Sequence, residues 1–154
     1  MPGRRVTPPD APPTPIETRG ESLGIHYSRG RTITSNSHLA LEAAEFALEY
    51  GDPWRFHHRL FKAYFDDLED IGQVDRVVRA GAEAGLDEKS LRAALEERRY
   101  RERVDEGIAW SRSIGVTAIP TFVVNDQYAV VGAQPLEVFR SVMEQLGETR
   151  RGPA

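Results

Sequence analysis

The feature that most constrains this chain is where it turns from helical to extended. Thr121 to Val124 and Tyr128 to Val131 are rich in β-formers, and Asn125-Asp126 between them has turn composition, so the segment predicts a short hairpin. From Ser37 to Gly115 apolar residues recur at helical spacing, and after Gln134-Pro135 they do so again, along Leu136, Phe139, Val142, Met143 and Leu146. The order is an N-terminal arm, a helical block, a hairpin and a last helix, with no internal repeat. The fold class this implies is α+β.

Within the helical block, punctuation divides the chain into five helices. Ser37 is placed as an N-cap and Gly51 as a left-handed C-terminal residue; Glu42, Glu45 and Glu49 share one face, and Leu39, Ala43, Phe46 and Tyr50 an apolar one. Asp52 then caps a helix with Pro53 at its first position. Its expected apolar stripe is Trp54, Phe61, Phe65 and Leu68, flanked by Leu60 and Tyr64, with Arg55, Arg59, Lys62 and Asp66 on the polar face. A third helix carries Val74, Val77 and Val78 and stops at Gly85, where Leu86 fits the contact of a Schellman ending. Asp87 caps a fourth, and a fifth through Val104, Ile108 and Trp110 ends near Gly115.

Six of the ten prolines lie in residues 1–20, which predicts extended coil, either as a free tail or as an arm lying on the body or on a partner. Residues 21–36 read as irregular, with at most one short strand at Ile25 to Tyr27. The expected domains are therefore 1–20 (arm), 21–115 (helical), 116–147 (hairpin and helix) and 148–154 (tail).

Composition narrows the chemistry. The chain has 154 residues, a formal net charge of −4 and no cysteine. The last point excludes disulfides, cysteine metal sites and a thiol nucleophile within these residues. A slightly acidic chain has no broad footprint for nucleic acid. No run approaches the ~18 apolar residues of a membrane span. The expected compartment is the cytoplasm.

Charged clusters offer little catalysis. His57 and His58 point about 100° apart on a helix, which suits structural roles better than a shared metal. His38 and Glu42 stand four apart, but two ligands make no metal site, and a capping or surface pair is expected. The mixed run Glu96 to Asp105 reads as a solvated helix face, with Glu97 and Arg101 as an i,i+4 pair. Phosphate loops, nucleophile elbows and zincin motifs are lacking. No catalytic residue, cofactor or metal is assigned.

The segment Ser113 to Phe139 is the most specific. Its words GVTAIPTFVVN and YAVVGAQPLEVF, with GRTITSNSHLALEAAEFALEYG and DIGQVDRVVRAGAEAGLD upstream, resemble the DsbA-like branch of the thioredoxin superfamily, especially its FrnE-like and polyketide-associated oxidoreductases. The resemblance covers roughly residues 20–147. It implies a truncated thioredoxin-like fold, the hairpin plus C-terminal helix, joined to a large DsbA-type helical domain. It also implies that Ile119-Pro120 is the family's cis-proline loop, with Ile119 offering its backbone to an extended peptide. The bare alternative is a trans proline that starts a strand.

The family's Cys-x-x-Cys lies at a helix N-terminus in a strand–helix–strand unit. Such a unit takes about 30 residues. Only 36 residues precede the first helix of the block, 20 of them proline-rich, so that half is expected to be missing from this stretch. The strand Thr121, Phe122, Val123, Val124 would then be an open edge that invites another chain. A second copy, forming a homodimer, or a complementing N-terminal half are the expected partners, with extended peptide as a further ligand. Three functions follow: an oxidoreductase relative that does not itself exchange dithiols, a binding or assembly module, or a glutathione-dependent isomerase-like remnant.

Overall fold

A computed structural model describes residue 8 and residues 10–148. Most of the expected tail, from 149 on, and the first seven residues of the arm lie outside the described residues. The elements are α1 (Pro15–Glu21), α2 (His38–Tyr50), α3 (Pro53–Phe61) continued by a π-helical turn (Lys62–Asp66), α4 (Val74–Glu83), α5 (Glu88–Glu96), α6 (Arg101–Ser113), β1 (Thr121–Val124), β2 (Tyr128–Val131) and α7 (Leu136–Gln145). They form two compact units, Met1–Glu106 and Gly107–Ala154.

The first unit is helical, with its core built from α2 to α5. Phe46, Phe56, Leu60, Val77, Val78, Leu86, Leu91 and Leu95 are buried, and Ala40, Ala43, Ala44 and Ala47 give α2 a thin inward face that lets neighbours approach. Each fully buried Phe or Leu stabilises the fold by about 1.5–3 kcal/mol. The expected ends are in place. Asp52 accepts from Arg55 N–H and Asp87 from Ser90 N–H. Gly85 takes φ 94°, and Leu86 N–H reaches back to the Gly81 carbonyl at 3.0 Å.

Several expectations are corrected. The inward stripe of α3 is Phe56, Leu60 and Ala63, while Trp54 is 77% exposed and Phe61 also faces outward. Both stripes have helical spacing; tertiary packing chose the smaller side chains, which leave Arg59 at the rim to pair with Asp67 and Glu83. Glu42, expected on a polar face with the surface pair His38, is completely buried, and Tyr50 is exposed. Ser37 makes no side-chain cap; Asn36 Oδ1 accepts from His38 N–H instead, at 3.0 Å, and Gly51 ends α2 in extended backbone at φ −164°, not left-handed. Glu97 and Arg101 do not share a helix, because α5 ends at Glu96 and Arg98 turns to φ 53°. Glu97 pairs with Arg99, and Arg101 with Asp105.

Residues 15–20, expected as extended coil, belong to α1. Pro15 occupies the first turn, where a missing N–H costs nothing, and Thr14 with Glu17 closes a capping box. Arg29 then fastens the proline-rich stretch to the body. Its Nε and Nη2 donate to Glu17 at 2.8 and 2.9 Å, and its Nη1 to the carbonyls of Ala11 and Pro8 at 2.5 and 3.1 Å. Gly20 leaves room for the Tyr27 ring, which a Cβ would strike. Residues 25–27 form no strand. Their path is set at the π-helical turn, where Ser28 N–H donates to the Phe65 carbonyl at 3.0 Å.

The second unit holds the end of α6, the hairpin and α7. The strands are antiparallel, in the register Thr121↔Val131, Phe122↔Val130, Val123↔Ala129, Val124↔Tyr128. Asn125 and Asp126, at φ 52° and 53°, make the turn; both residue types tolerate this region. Opposed residues share a face, so Phe122 and Val130 lie together. Phe122 meets Phe139 of α7 edge-to-face, with centroids 4.9 Å apart. Val130 is buried, whereas no residue of α7 is.

Candidate functional site: an open strand edge beside Ile119-Pro120

The site is built by the loop from α6 into β1. Gly115 at φ 80° ends α6, and Val116 N–H closes the ending on the Ser111 carbonyl. The chain then reaches Ile119-Pro120, whose peptide bond is cis. Thr121 Oγ1 donates to the Ala118 carbonyl at 2.6 Å and pins the loop.

Backbone polarity along β1 follows from one hydrogen bond. Gly132 N–H donates to the Pro120 carbonyl at 2.7 Å, so the ladder extends one pair beyond Thr121↔Val131. In an antiparallel ladder hydrogen-bonded pairs alternate. The peptide groups of Phe122 and Val124 therefore point to β2, and those of Thr121 and Val123 point the other way. Among the described residues the sheet has two strands only. Likewise among the described residues, neither the Ile119 N–H nor its carbonyl has a hydrogen-bond partner. Ile119 is 91% exposed, the largest fraction among the exposed large hydrophobic residues.

The loop and strand are apolar and uncharged. Ser113 to Asn125 contains no ionisable side chain. Phe122 and Val123, though within a strand, are 42% and 39% exposed. A cleft of about 380 Å³ beside the hairpin is lined by Trp110, Ile114, Val123 and Tyr128, with Asp126 and Gln127 of the turn. Natural edges carry lysines, bulges or interior prolines to deter pairing; β1 has none of these, and its one proline precedes it. All six residues singled out from the sequence, Ile119 to Val124, lie on this loop and strand. Sequence reasoning did not separate the outward set from the inward one. It also missed Trp110 and Ile114, which their i,i+4 spacing next to the glycine ending could have flagged. No group of His, Asp or Glu among the described residues is arranged to hold a metal ion.

The family model of the DSBA-like thioredoxin domain matches residues 13–144, which take in the helical block, the hairpin and nearly all of α7. The chain belongs to the DSBA-like thioredoxin domain family. It is 30% identical over 132 residues to the uncharacterized protein YwbO of Bacillus subtilis, a match covering 84% of this chain and 66% of YwbO. It also superposes on the crystal structure of a probable DsbA oxidoreductase from Streptomyces coelicolor, with a TM-score of 0.76 and 25% identity, over 90% of this chain and 61% of that one. The chain thus spans about two thirds of the length of YwbO and somewhat less of the Streptomyces protein. No helix among the described residues is long and apolar enough to cross a membrane.

Proposed function

We propose that this chain is the strand-accepting portion of a DsbA-like protein and does not exchange dithiols by itself. Thiol–disulfide exchange needs a thiolate, and these 154 residues contain no cysteine. The observation that carries the reading is the outward peptide groups of Thr121 and Val123 on an uncharged, half-exposed apolar strand, preceded by the exposed Ile119 whose backbone makes no hydrogen bond among the described residues. Backbone pairing along that strand supplies the register, and the apolar faces beside it supply the burial.

The occupant we favour is a complementing thioredoxin-type segment that carries the Cys-x-x-Cys. The support is length: both relatives are about half as long again as the matched region. The words GVTAIPTFVVN and YAVVGAQPLEVF point to the FrnE-like branch, where Ile119-Pro120 would lie beside the reacting sulfurs and meet an extended peptide. A second copy filling the edge, giving a homodimer, is the competing outcome.

Amide exchange on the isolated chain, with its mass followed by light scattering, tests the proposal. The amides of Thr121 and Val123 are expected to exchange far faster than those of Phe122 and Val124 in the monomer. A rise in their protection that tracks a doubling of mass would assign the edge to a second copy. A monodisperse monomer with Thr121 and Val123 strongly protected would sink the proposal. Insulin reduction by the chain alone is expected to be blank.

A further inference from the structure

A second cluster, unrelated to the strand edge, lies inside the first unit. Glu42 of α2 is 0% exposed. Its Oε1 accepts from His38 Nδ1 at 2.8 Å and from Arg98 Nε and Nη2 at 2.9 and 2.6 Å, while its Oε2 is buried without a hydrogen-bond partner among the described residues. His38 Nε2 lies 2.9 Å from Asp105 Oδ1 in the second turn of α6. Asp105 is itself paired with Arg101. The groups facing the imidazole are therefore Glu42 from α2, Arg98 from the α5–α6 connection and Asp105 from α6, with Arg101 behind Asp105.

Both ring nitrogens face carboxylate oxygens at hydrogen-bond distance. A neutral imidazole has one N–H and one lone pair; only the imidazolium donates twice. We propose that His38 is a pH-sensitive latch that, when protonated, fastens the start of α6 to α2.

Burial decides which contact the neutral ring gives up. Turning the ring's lone pair on the enclosed Glu42 carboxylate costs more than turning it on Asp105, which is half exposed and keeps Arg101, even with Arg98 Nη2 3.2 Å from Nδ1 to offset part of that cost. The neutral ring therefore holds its proton at Nδ1 and turns the Nε2 lone pair on Asp105, and the α6 contact opens. Arg98 keeps Glu42 in place in either state. The hydrogen bond to Asp105, opposed by burial and helped by Glu42, raises the His38 pKa above the ordinary 6.5. A raised histidine stabilises fully below its unfolded value and loses that contribution as pH rises through its folded one. The latch is thus closed below pH 6.5 and opens as pH rises through the raised folded value.

The test combines imidazole NMR with amide protection factors across α6, corrected for intrinsic exchange. His38 is expected to titrate above 6.5. Protection at residues 104–107 is expected to fall at least threefold through that titration. The neutral ring is expected as the Nδ1–H tautomer. In Asp105→Asn, which leaves the Glu42–Arg98 pair intact, the His38 midpoint should move down and the pH dependence of α6 protection should vanish. His38→Gln should give flat, low protection as a second check. A His38 midpoint at or below 6.5, or protection that ignores the titration in the wild-type chain, would overturn the latch.

Discussion

Gly81 in α4 sets two familiar effects against each other. Replacing a helical glycine by alanine ordinarily stabilises by about 1 kcal/mol, through backbone entropy and helix propensity. Here a Cβ would sit well inside 3.0 Å of Leu91 Cδ2, with Leu86 Cδ1 at 3.4 Å. Leu91 is completely buried, so its Cδ2 cannot yield into solvent. Overpacking of this kind costs about 1–3 kcal/mol. The clash therefore outweighs the propensity gain, and Gly81→Ala should destabilise the chain by about 1 kcal/mol. With a urea slope of about 2 kcal/mol/M, the midpoint falls by roughly 0.5 M. Leu91→Ala alone should cost about 2–5 kcal/mol. In that background the new methyl meets open space, so Gly81→Ala should recover about 1 kcal/mol. The cycle then shows a coupling of about 2 kcal/mol. Urea titration followed by far-ultraviolet circular dichroism reads all four variants. A Gly81→Ala midpoint that rises in both backgrounds would refute the close α4–α5 approach on which the argument rests.

Three other perturbations read other parts of the molecule. Val123→Pro removes only an outward N–H and should leave the hairpin intact, whereas Val124→Pro removes a ladder donor and should cost roughly 1–3 kcal/mol, visible in the Val130 methyl resonances. Arg29 and the Thr14 backbone hold the Glu17 carboxyl down to about 2; a depressed carboxylate contributes above its unfolded value of 4.5 and loses that contribution as pH falls through the folded one, so the Arg29 clamp should persist at pH 4 and release as the pH approaches 2, followed by the Glu17 side-chain carbon shift. Burial, together with donation to Glu49 Oε2 at 2.7 Å, pushes the Tyr100 phenol up; in ultraviolet titration Tyr100 should stay protonated beyond the usual phenol range, and Glu49→Gln should bring it partway back.

What could be read from the sequence is what local chemistry decides. Asp52, Asp87, Gly85, Gly115 and Gly147 mark real helix ends because a cap or a positive φ is settled within five residues. The hairpin was legible for the same reason. The inward face of α3 was not: Trp54-Phe61-Phe65 and Phe56-Leu60-Ala63 both have helical spacing, and only the partners of the helix distinguish them. Glu42 was misplaced because a carboxylate goes inside only with donors, and its donors come from residues as distant as Arg98. Proline density concealed α1, since Pro15 sits at the one place in a helix where proline is favoured.

The strand edge shows the converse situation, in which local signals agree with one another and the tertiary answer is incomplete. Thr121 to Val124 reads as strand, forms strand and carries side chains suited to a sheet buried on both faces. Parallel and central strands have such continuous apolar runs, whereas edges alternate or carry charge. Yet within the second unit Val130 is the buried residue, and Phe122, Val123, Val131, Leu136, Val138 and Met143 all remain substantially exposed. A hairpin and one helix cannot cover that much apolar surface. The sequence of β1 is thus that of an interior strand in the position of an edge. That mismatch is the physical ground for expecting a further strand there, and it holds whether the strand comes from a complementing segment or from a second copy.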